Sequence, residues 1–585
     1  MNTKDGKQAR TPRFSRRDFL KAVGGGTAAA VLGGAASVVV AREHEAIAWD
    51  RETDVVVVGS GGSGGAAAAG AVEGGAEVVL IEKSAGFGGT TGKSGGTSWV
   101  PNNERMRERG LEDPKPDAMR YMARLAYPYL YRADDERFGL PAATYELLET
   151  FYDRGPEAFA ALEAAGAFRT VTSMSWTGEP TPDYYAHIEE NKAPRGRAIN
   201  PGREDGSSGF GADMVRQMRE YLVEKDVPIL LGHQVTKVIT NESGDVIGVE
   251  VLDRTGSLLN VRTRKGVVFA SGGFTHNREM ASNYLRGPIF GGCAVPTNQG
   301  DLITIAEELG AKLGNMNEAW LQEEILEEVL EFASVPSGVW FLTGDSMVTV
   351  NKYGHRVYDE KHVYNERTRV HYTWDPQAGE YTNLFLFFVY DQRVADLYPG
   401  GGGPVPPADS EAAYVIQGAD WAELERNINA RLAELEPQIG HVRLADSFGQ
   451  GLQHTVERFN GFAETGEDLD FARGTIPISA HFHGPRRDGN DKPNPYMHPL
   501  SETGPYYCII LAPGTLDTKG GPVTTAHGQA VDARGRPIRG MYAAGNAAAS
   551  PSGQSYWGAG GTLGPALTFG WLAGQHAAAQ PDTEA

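Results

Sequence analysis

The chain has 585 residues, 41% of them hydrophobic, which is enough for several domains or for fewer large ones around a substantial core. The net charge is −21, and residues 1–41 contribute +5 through seven Lys/Arg and two Asp, so the remainder carries −26; such a surface excludes nucleic acid and anionic lipid headgroups as partners. Only two cysteines, Cys293 and Cys508, are present and they are far apart, which excludes a thiolate zinc site, an iron–sulfur cluster and a c-type haem; two free buried thiols are expected, with a disulfide as the alternative.

At the N-terminus "FSRRDFLK" (14–21) precedes the Gly/Ala-rich run "AVGGGTAAAVLGGAASVVVA", with Val39 and Ala41 at small-residue cleavage positions. This pattern predicts a twin-arginine secretion signal over residues 1–41, and hence a periplasmic or exported protein that meets the twin-arginine export machinery. A membrane anchor is the competing reading, but so many Gly and Ala make a weak spanning helix. That route carries folded proteins, often with a cofactor inside.

The run "TDVVVV" (53–58) predicts a buried parallel strand. It leads into Gly59, Gly61 and Gly64, spaced G-x-G-x-x-G, with Gly62 and Ser63 between them. An Ala-rich helix and a second strand, "AEVVLIEK", follow and end at Glu82 and Lys83. The order strand, glycine turn, helix, strand, acid is that of a dinucleotide site: bare backbone approaches a pyrophosphate at a helix N-terminus and the carboxylate takes a ribose hydroxyl. The small-residue stretch "SAGFGGTTGKSGGTSWVPNN" would continue along the cofactor through Gly89, Thr90, Thr91, Ser94, Gly95 and Gly96.

A further strand, "KGVVFASGGF" (265–274), ends in a glycine turn at Ala270 and Gly272, and "GMYAAGNAAAS" (540–550) repeats the pattern at Gly545 and Asn546. Val235 and Leu563 complete the predicted cofactor contacts. Three such segments spread from residue 59 to residue 546 imply one binding domain built from both chain ends, residues 50–282 and 497–580. A nicotinamide enzyme rarely needs that, so the expected cofactor is FAD. Residues 283–496 would form an inserted α+β substrate or cap domain, giving an α/β fold with a Rossmann-like FAD-binding domain.

Within the insert, "NEAWLQEEILEEVLEF" (317–332) reads as an acidic amphipathic helix with a solvated face. Residues 398–412 read as a Pro/Gly-rich surface loop and residues 420–439 as a helix. The segment "AHFHGPRRDGN" (480–490) holds His481, His483, Arg486 and Arg487; a loop with salt bridges is expected there, and no metal constellation is expected among the 14 histidines. Near the C-terminus, "SYWGAGGTLGPALTFG" (555–570) sets Tyr556 against Gly558, Gly560 and Gly561, which would leave room for a flat ring. Pro565 suits the first turn of a helix aimed at that ring.

Together, "SGGTSWVPNN", "PDYY", "APGTLDTKGGPVTTAHGQAV", "GMYAAGN" and the 555–570 stretch resemble the fumarate reductase/3-ketosteroid dehydrogenase superfamily of flavoproteins, within it the 3-ketosteroid 1-dehydrogenases, from about residue 50 to 578. The resemblance implies non-covalent FAD, a steroid-like ketone substrate and 1,2-dehydrogenation. It places the family's first tyrosine on Tyr184, with Tyr185 as the register alternative, and its base on Tyr364, with Tyr353 and Tyr358 close by. Its carbonyl-binding pair falls on Tyr556 and Gly560. The electron acceptor would be a quinone or a redox carrier. A fumarate- or urocanate-type reductase, a ketosteroid 4,5-dehydrogenase and a flavin-binding electron carrier are the alternatives.

Overall fold

The computed structural model describes residues 47–584 apart from residues 337, 401 and 409. The predicted signal, residues 1–41, lies outside the described residues.

Strand Arg51–Val58 is central to its sheet, and Val55, Val56 and Val57 are fully buried, as a continuous β-branched run requires of a strand covered on both faces. It pairs in parallel with Val78–Glu82 on one side and Leu258–Phe269 on the other. Ile229–Leu231 extends the sheet beyond Val78–Glu82, and Pro537–Ala543 adds in parallel to Leu258–Phe269. The two chain ends therefore share one sheet. Helix Gly62–Glu73 follows the glycine turn, and helix Leu563–Ala578 packs against it almost backbone to backbone. A Cβ on Gly574 would stand 2.0 Å from the Ala67 carbonyl oxygen, and one on Gly570 would stand 2.4 Å from that of Ser63.

A second sheet is built from Ala319–Ile325, Tyr506–Thr518, Leu386–Asp391 and Met347–Val350, with Ile416–Gly418 also on Tyr506–Thr518. Every pairing in it is antiparallel. Residues of helices Trp421–Ile439 and Phe448–Thr465 share one apolar core with this sheet. The Asp420 side chain caps the first of them by accepting from the Glu423 N–H. Cys293 and Cys508 are both free and buried. Among the described residues no helix is long and apolar enough to cross a membrane.

Four expectations change. The insert does not end at residue 496: Tyr506–Thr518 pairs with inserted strands, so the return to the first sheet follows Thr518. Nor is the inserted sheet a separate body, since residues 48–585 cluster as one unit. The acidic stretch 317–332 is not one solvated helix but the fully buried strand Ala319–Ile325 followed by the short helix Leu326–Glu331. Its Glu323 accepts from Arg367 Nε at 2.9 Å and Tyr358 Oη at 2.7 Å. Periodicity cannot show a partner 44 positions away, and it is that partner which lets the carboxylate go inside. In 480–490 the first residues belong to helix Pro477–His483, and Arg486 donates to carbonyls, among them those of Asn490 and Pro493, with no carboxylate partner among the described residues.

Glu323→Ala leaves the Arg367 guanidinium buried without its counter-charge. Thermal or urea unfolding is expected to show a loss of about 3–5 kcal/mol; a loss under about 1 kcal/mol, the range of exposed pairs, would show that this pair does not hold the strand.

Candidate active site

The parallel strands of the first sheet end at a cleft of about 930 Å³. Ligands of open α/β sheets bind at this edge. Of the predicted cofactor residues, Gly59, Gly61, Gly62, Ser63, Glu82, Lys83, Gly89, Thr90, Thr91, Val235, Ala270, Gly272, Gly545, Asn546 and Leu563 line it. Gly64, Ser94, Gly95 and Gly96 are not on its wall. A Cβ on Gly64 would sit 2.0 Å from the Gly59 carbonyl oxygen, so this glycine lets the helix start press on the turn. Ser94 Oγ donates to the Thr91 carbonyl at 2.8 Å and accepts from the Gly96 N–H at 3.1 Å, which shapes the loop from behind.

The residues present fit a dinucleotide diphosphate. Gly59 has φ +103°, and a Cβ there would meet the Ala270 carbonyl oxygen at 2.4 Å. The N-cap residue of helix Gly62–Glu73 supplies no side-chain cap; the Gly62 N–H donates to Thr91 Oγ1 at 2.9 Å, and the helix N-terminus borders the cleft through Gly61, Gly62 and Ser63. Ser63 Oγ, on the wall, is buried without a hydrogen-bond partner. Glu82 was expected to face a ribose, yet its oxygens accept from Ser60 N–H at 2.9 Å, Ser60 Oγ at 2.7 Å and Ser84 N–H at 2.6 Å. The carboxylate thus braces the glycine turn while forming part of the wall. Lys83 pairs with Asp301 at 3.0 Å. Asp517, not foreseen, also lines the cleft; it accepts from Gly273 N–H at 3.0 Å, Asn298 Nδ2 at 2.7 Å and Asn546 Nδ2 at 3.1 Å. It was missed because it sits on a strand of the other sheet.

Beside the cleft three phenols converge. Tyr184 Oη and Tyr364 Oη are 2.7 Å apart. The Tyr556 ring is 5.1 Å from that of Tyr184 and 5.7 Å from that of Tyr364. All three are buried. The alternatives drop out on geometry: Tyr185 packs on His187 and His362, Tyr358 donates to Glu323, and Tyr353 bonds to Glu380. Behind Tyr184, Asp183 accepts from Trp99 Nε1 at 2.8 Å and from Arg197, which is also held by Asp113. Burial raises the pKa of Tyr364 well above the ordinary phenol value, and the two neighbouring phenols raise it further. Burial raises Tyr184 and Tyr556 too.

Two residues that the sequence did not single out tie the phenols to the cleft. Trp320 lies 4.8 Å from the Tyr556 ring, and its Nε1 donates to Asn546 Oδ1 at 2.9 Å. Lys519 Nζ sits 3.7 Å from the centre of the Trp320 ring and donates to the carbonyls of Gly553 and Ser555, which fixes the approach to Tyr556. Gly560 has φ +89°, and its carbonyl accepts from Trp99 and Gly564 N–H groups. Among the described residues nothing accepts from its own N–H. The space around Gly558, Gly560 and Gly561 is not open to a ring: a Cβ there would meet Trp99, the Thr97 carbonyl and the Tyr556 ring respectively. These glycines admit protein neighbours.

A family model described as an FAD binding domain matches residues 54–563. The chain belongs to this FAD-binding family. It is 31% identical over 574 residues to a 3-oxosteroid 1-dehydrogenase of Mycolicibacterium smegmatis, covering 85% of this chain and 92% of the relative. It is 30% identical to a 4-oxocyclohexanecarboxylate 2-dehydrogenase of Sinomonas cyclohexanicum, covering 86% and 89%. The crystal structure of a 3-ketosteroid delta1-dehydrogenase from Sterolibacterium denitrificans, in complex with 1,4-androstadiene-3,17-dione, superposes with a TM-score of 0.75 at 27% identity over 90% of this chain and all of that one. This member of the FAD-binding family is an FAD-dependent oxidoreductase.

Gly59→Ala forces a side chain into the left-handed region and against Ala270, a strain of about 1–3 kcal/mol at the diphosphate turn. The purified variant is expected to hold roughly a tenth of the parent's flavin per chain, read from visible absorbance. Full flavin content would show that this close approach is not needed.

Proposed function

We propose that the protein removes two hydrogens from adjacent ring carbons of a cyclic ketone, as a 3-oxosteroid 1-dehydrogenase does. The observation that supports this best is the Tyr184–Tyr364 hydroxyl pair at 2.7 Å with Tyr556 packed on both. Tyr556 Oη and the Gly560 N–H serve as donors to the substrate carbonyl, in the manner of an oxyanion hole. Polarising that oxygen acidifies the neighbouring C–H. Tyr364 acts as general base in its phenolate form and becomes the phenol on taking the proton, and Tyr184 donates the hydrogen bond that stabilises the phenolate beforehand. When bound, FAD supplies the acceptor for the hydride from the next carbon. Burial of the phenols keeps water out of the exchange.

A reductase of unsaturated dicarboxylates needs cations around the reacting atoms. Among the described residues no Arg or Lys hydrogen-bonds to the three phenol hydroxyls. FAD is held non-covalently on this reading: neither cysteine lines the cleft, and His233, which does, has Nδ1 at 2.9 Å from the Leu231 carbonyl. A quinone or redox carrier reoxidises it, in keeping with an exported enzyme. Export rests on Arg16 and Arg17 of "FSRRDFLK". Replacing both by Lys is expected to leave the protein in the cytoplasmic fraction, and unchanged export would remove this part of the proposal.

Anaerobic titration of the holoenzyme with a 3-ketosteroid is expected to bleach the flavin. Tyr364→Phe and Tyr556→Phe are each expected to lower kcat by about 10²–10⁴. If the flavin is reoxidised by fumarate and ignores ketones, the proposed function is wrong; if both Phe variants turn over fully, the tyrosine roles are wrong. The pH profile gives a separate check. The active form of Tyr364 is deprotonated and burial raises its pKa, so kcat/KM should climb from neutral into alkaline pH and fall as pH drops. A profile that is flat or falls toward alkaline pH would rule out Tyr364 as the base.

A further inference from the structure

Phe482 lies between the phenol cluster and a second cavity. On one side its ring meets Tyr184 at 5.8 Å and Tyr364 at 6.3 Å. On the other it faces a cavity open to solvent, whose walls include Trp176, Phe341, Thr343, His481 and His483. The two histidines flank Phe482 on helix Pro477–His483. One short element thus touches the proposed reacting groups and the second cavity at once.

Several polar atoms of this cavity lack partners. Among the described residues His483 Nε2, His481 Nδ1 and Thr343 Oγ1 are buried without a hydrogen-bond partner. Such groups are costly unless something satisfies them. Lys361 is already engaged, donating to the carbonyls of Leu342 and Gly344 at 2.6 Å each. Asp345, the carboxylate in the wall, is held by Arg393 at 2.9 and 2.8 Å and by Asn490 at 2.9 Å. Arg487 stands apart. It lines the cavity with its guanidinium 5.1 Å from the centre of the Tyr398 ring, and no carboxylate pairs with it among the described residues. In a chain of net charge −21, a cavity whose acid is already paired and whose Arg487 has no carboxylate partner among the described residues is a place for an anion. Trp176, about half exposed, adds a flat apolar face.

We infer that this cavity receives the end of the substrate remote from the reacting ketone, and that this end carries a carboxylate bound by Arg487 and His483. The inference rests on the ketone-dehydrogenase reading and names its substrate class: a cyclic ketone with an acidic tail. Phe341 and Phe482 pack on the ring system between the two ends.

The test uses the holoenzyme and three ketones sharing one ring system: a side-chain carboxylic acid, its methyl ester, and a neutral ketone without the tail. The parent is expected to prefer acid over ester by about tenfold in kcat/KM, the worth of one charge-assisted contact. Arg487→Gln and His483→Asn are each expected to bring that ratio close to one. Arg487 is exposed, so its variant decides the matter even if His483→Asn does not fold. Equal use of acid and ester by the parent, or a ratio that survives Arg487→Gln, would overturn the tail assignment while leaving the dehydrogenase reading intact. If none of the three ketones bleaches the flavin, the dehydrogenase reading itself fails.

Discussion

The architecture depends on two helices lying closer than side chains would allow. Gly62–Glu73 and Leu563–Ala578 come from opposite ends of the chain, yet Gly70, Gly570 and Gly574 each face backbone of the other helix at distances no Cβ could share. This contact docks the C-terminal segment against the N-terminal sheet. Strand Pro537–Ala543 then takes its place beside Leu258–Phe269, and the loop before Leu563 brings Tyr556 to the edge of the cleft. Much of the chain's glycine is thereby explained by packing between distant segments, with the nucleotide turn using only a few.

The phenol cluster is assembled from three regions that have little in common locally. Tyr184 is held from behind by the buried Asp183–Arg197–Asp113 network, Tyr364 opens a short helix of the insert, and Tyr556 follows the loop braced by Lys519. Burial works against ionising any of them, and putting three together strengthens that effect. Such an arrangement disfavours a resting phenolate, and the 2.7 Å contact between the Tyr184 and Tyr364 hydroxyls is the interaction that can offset part of that cost. Asn546 links the cleft to the phenols: it lines the cleft, accepts from Trp320 and donates to Asp517.

The insert is more than a cover. Its strand Tyr506–Thr518 runs into the first sheet's territory, and Asp517 on it accepts from the Gly273 N–H and the Asn298 side chain beside the cleft. Strand Ala319–Ile325 beside it supplies Trp320 to the phenols. The two sheets therefore share the site along one pair of strands, which accounts for residues 48–585 behaving as a single unit.

Local sequence was sufficient for the nucleotide half. A β-branched run, a glycine turn, an Ala-rich helix and a second strand ending in an acid interact within about thirty residues, and nearly every residue expected in the cleft lines it. The family motifs likewise pointed to Tyr184, Tyr364 and Tyr556 before any contact was known. Tertiary structure alone decided the rest. It chose among neighbouring tyrosines, because only geometry shows which hydroxyl reaches another. It turned an acidic stretch into a buried strand, because Arg367 and Tyr358, distant in sequence, neutralise and hydrogen-bond Glu323. It moved the end of the insert past Thr518 and recruited Trp320, Lys519 and Asp517 to the site. A charge or a strand pairing satisfied by a distant partner leaves no periodicity in its own neighbourhood, so these features could be seen only in the folded chain.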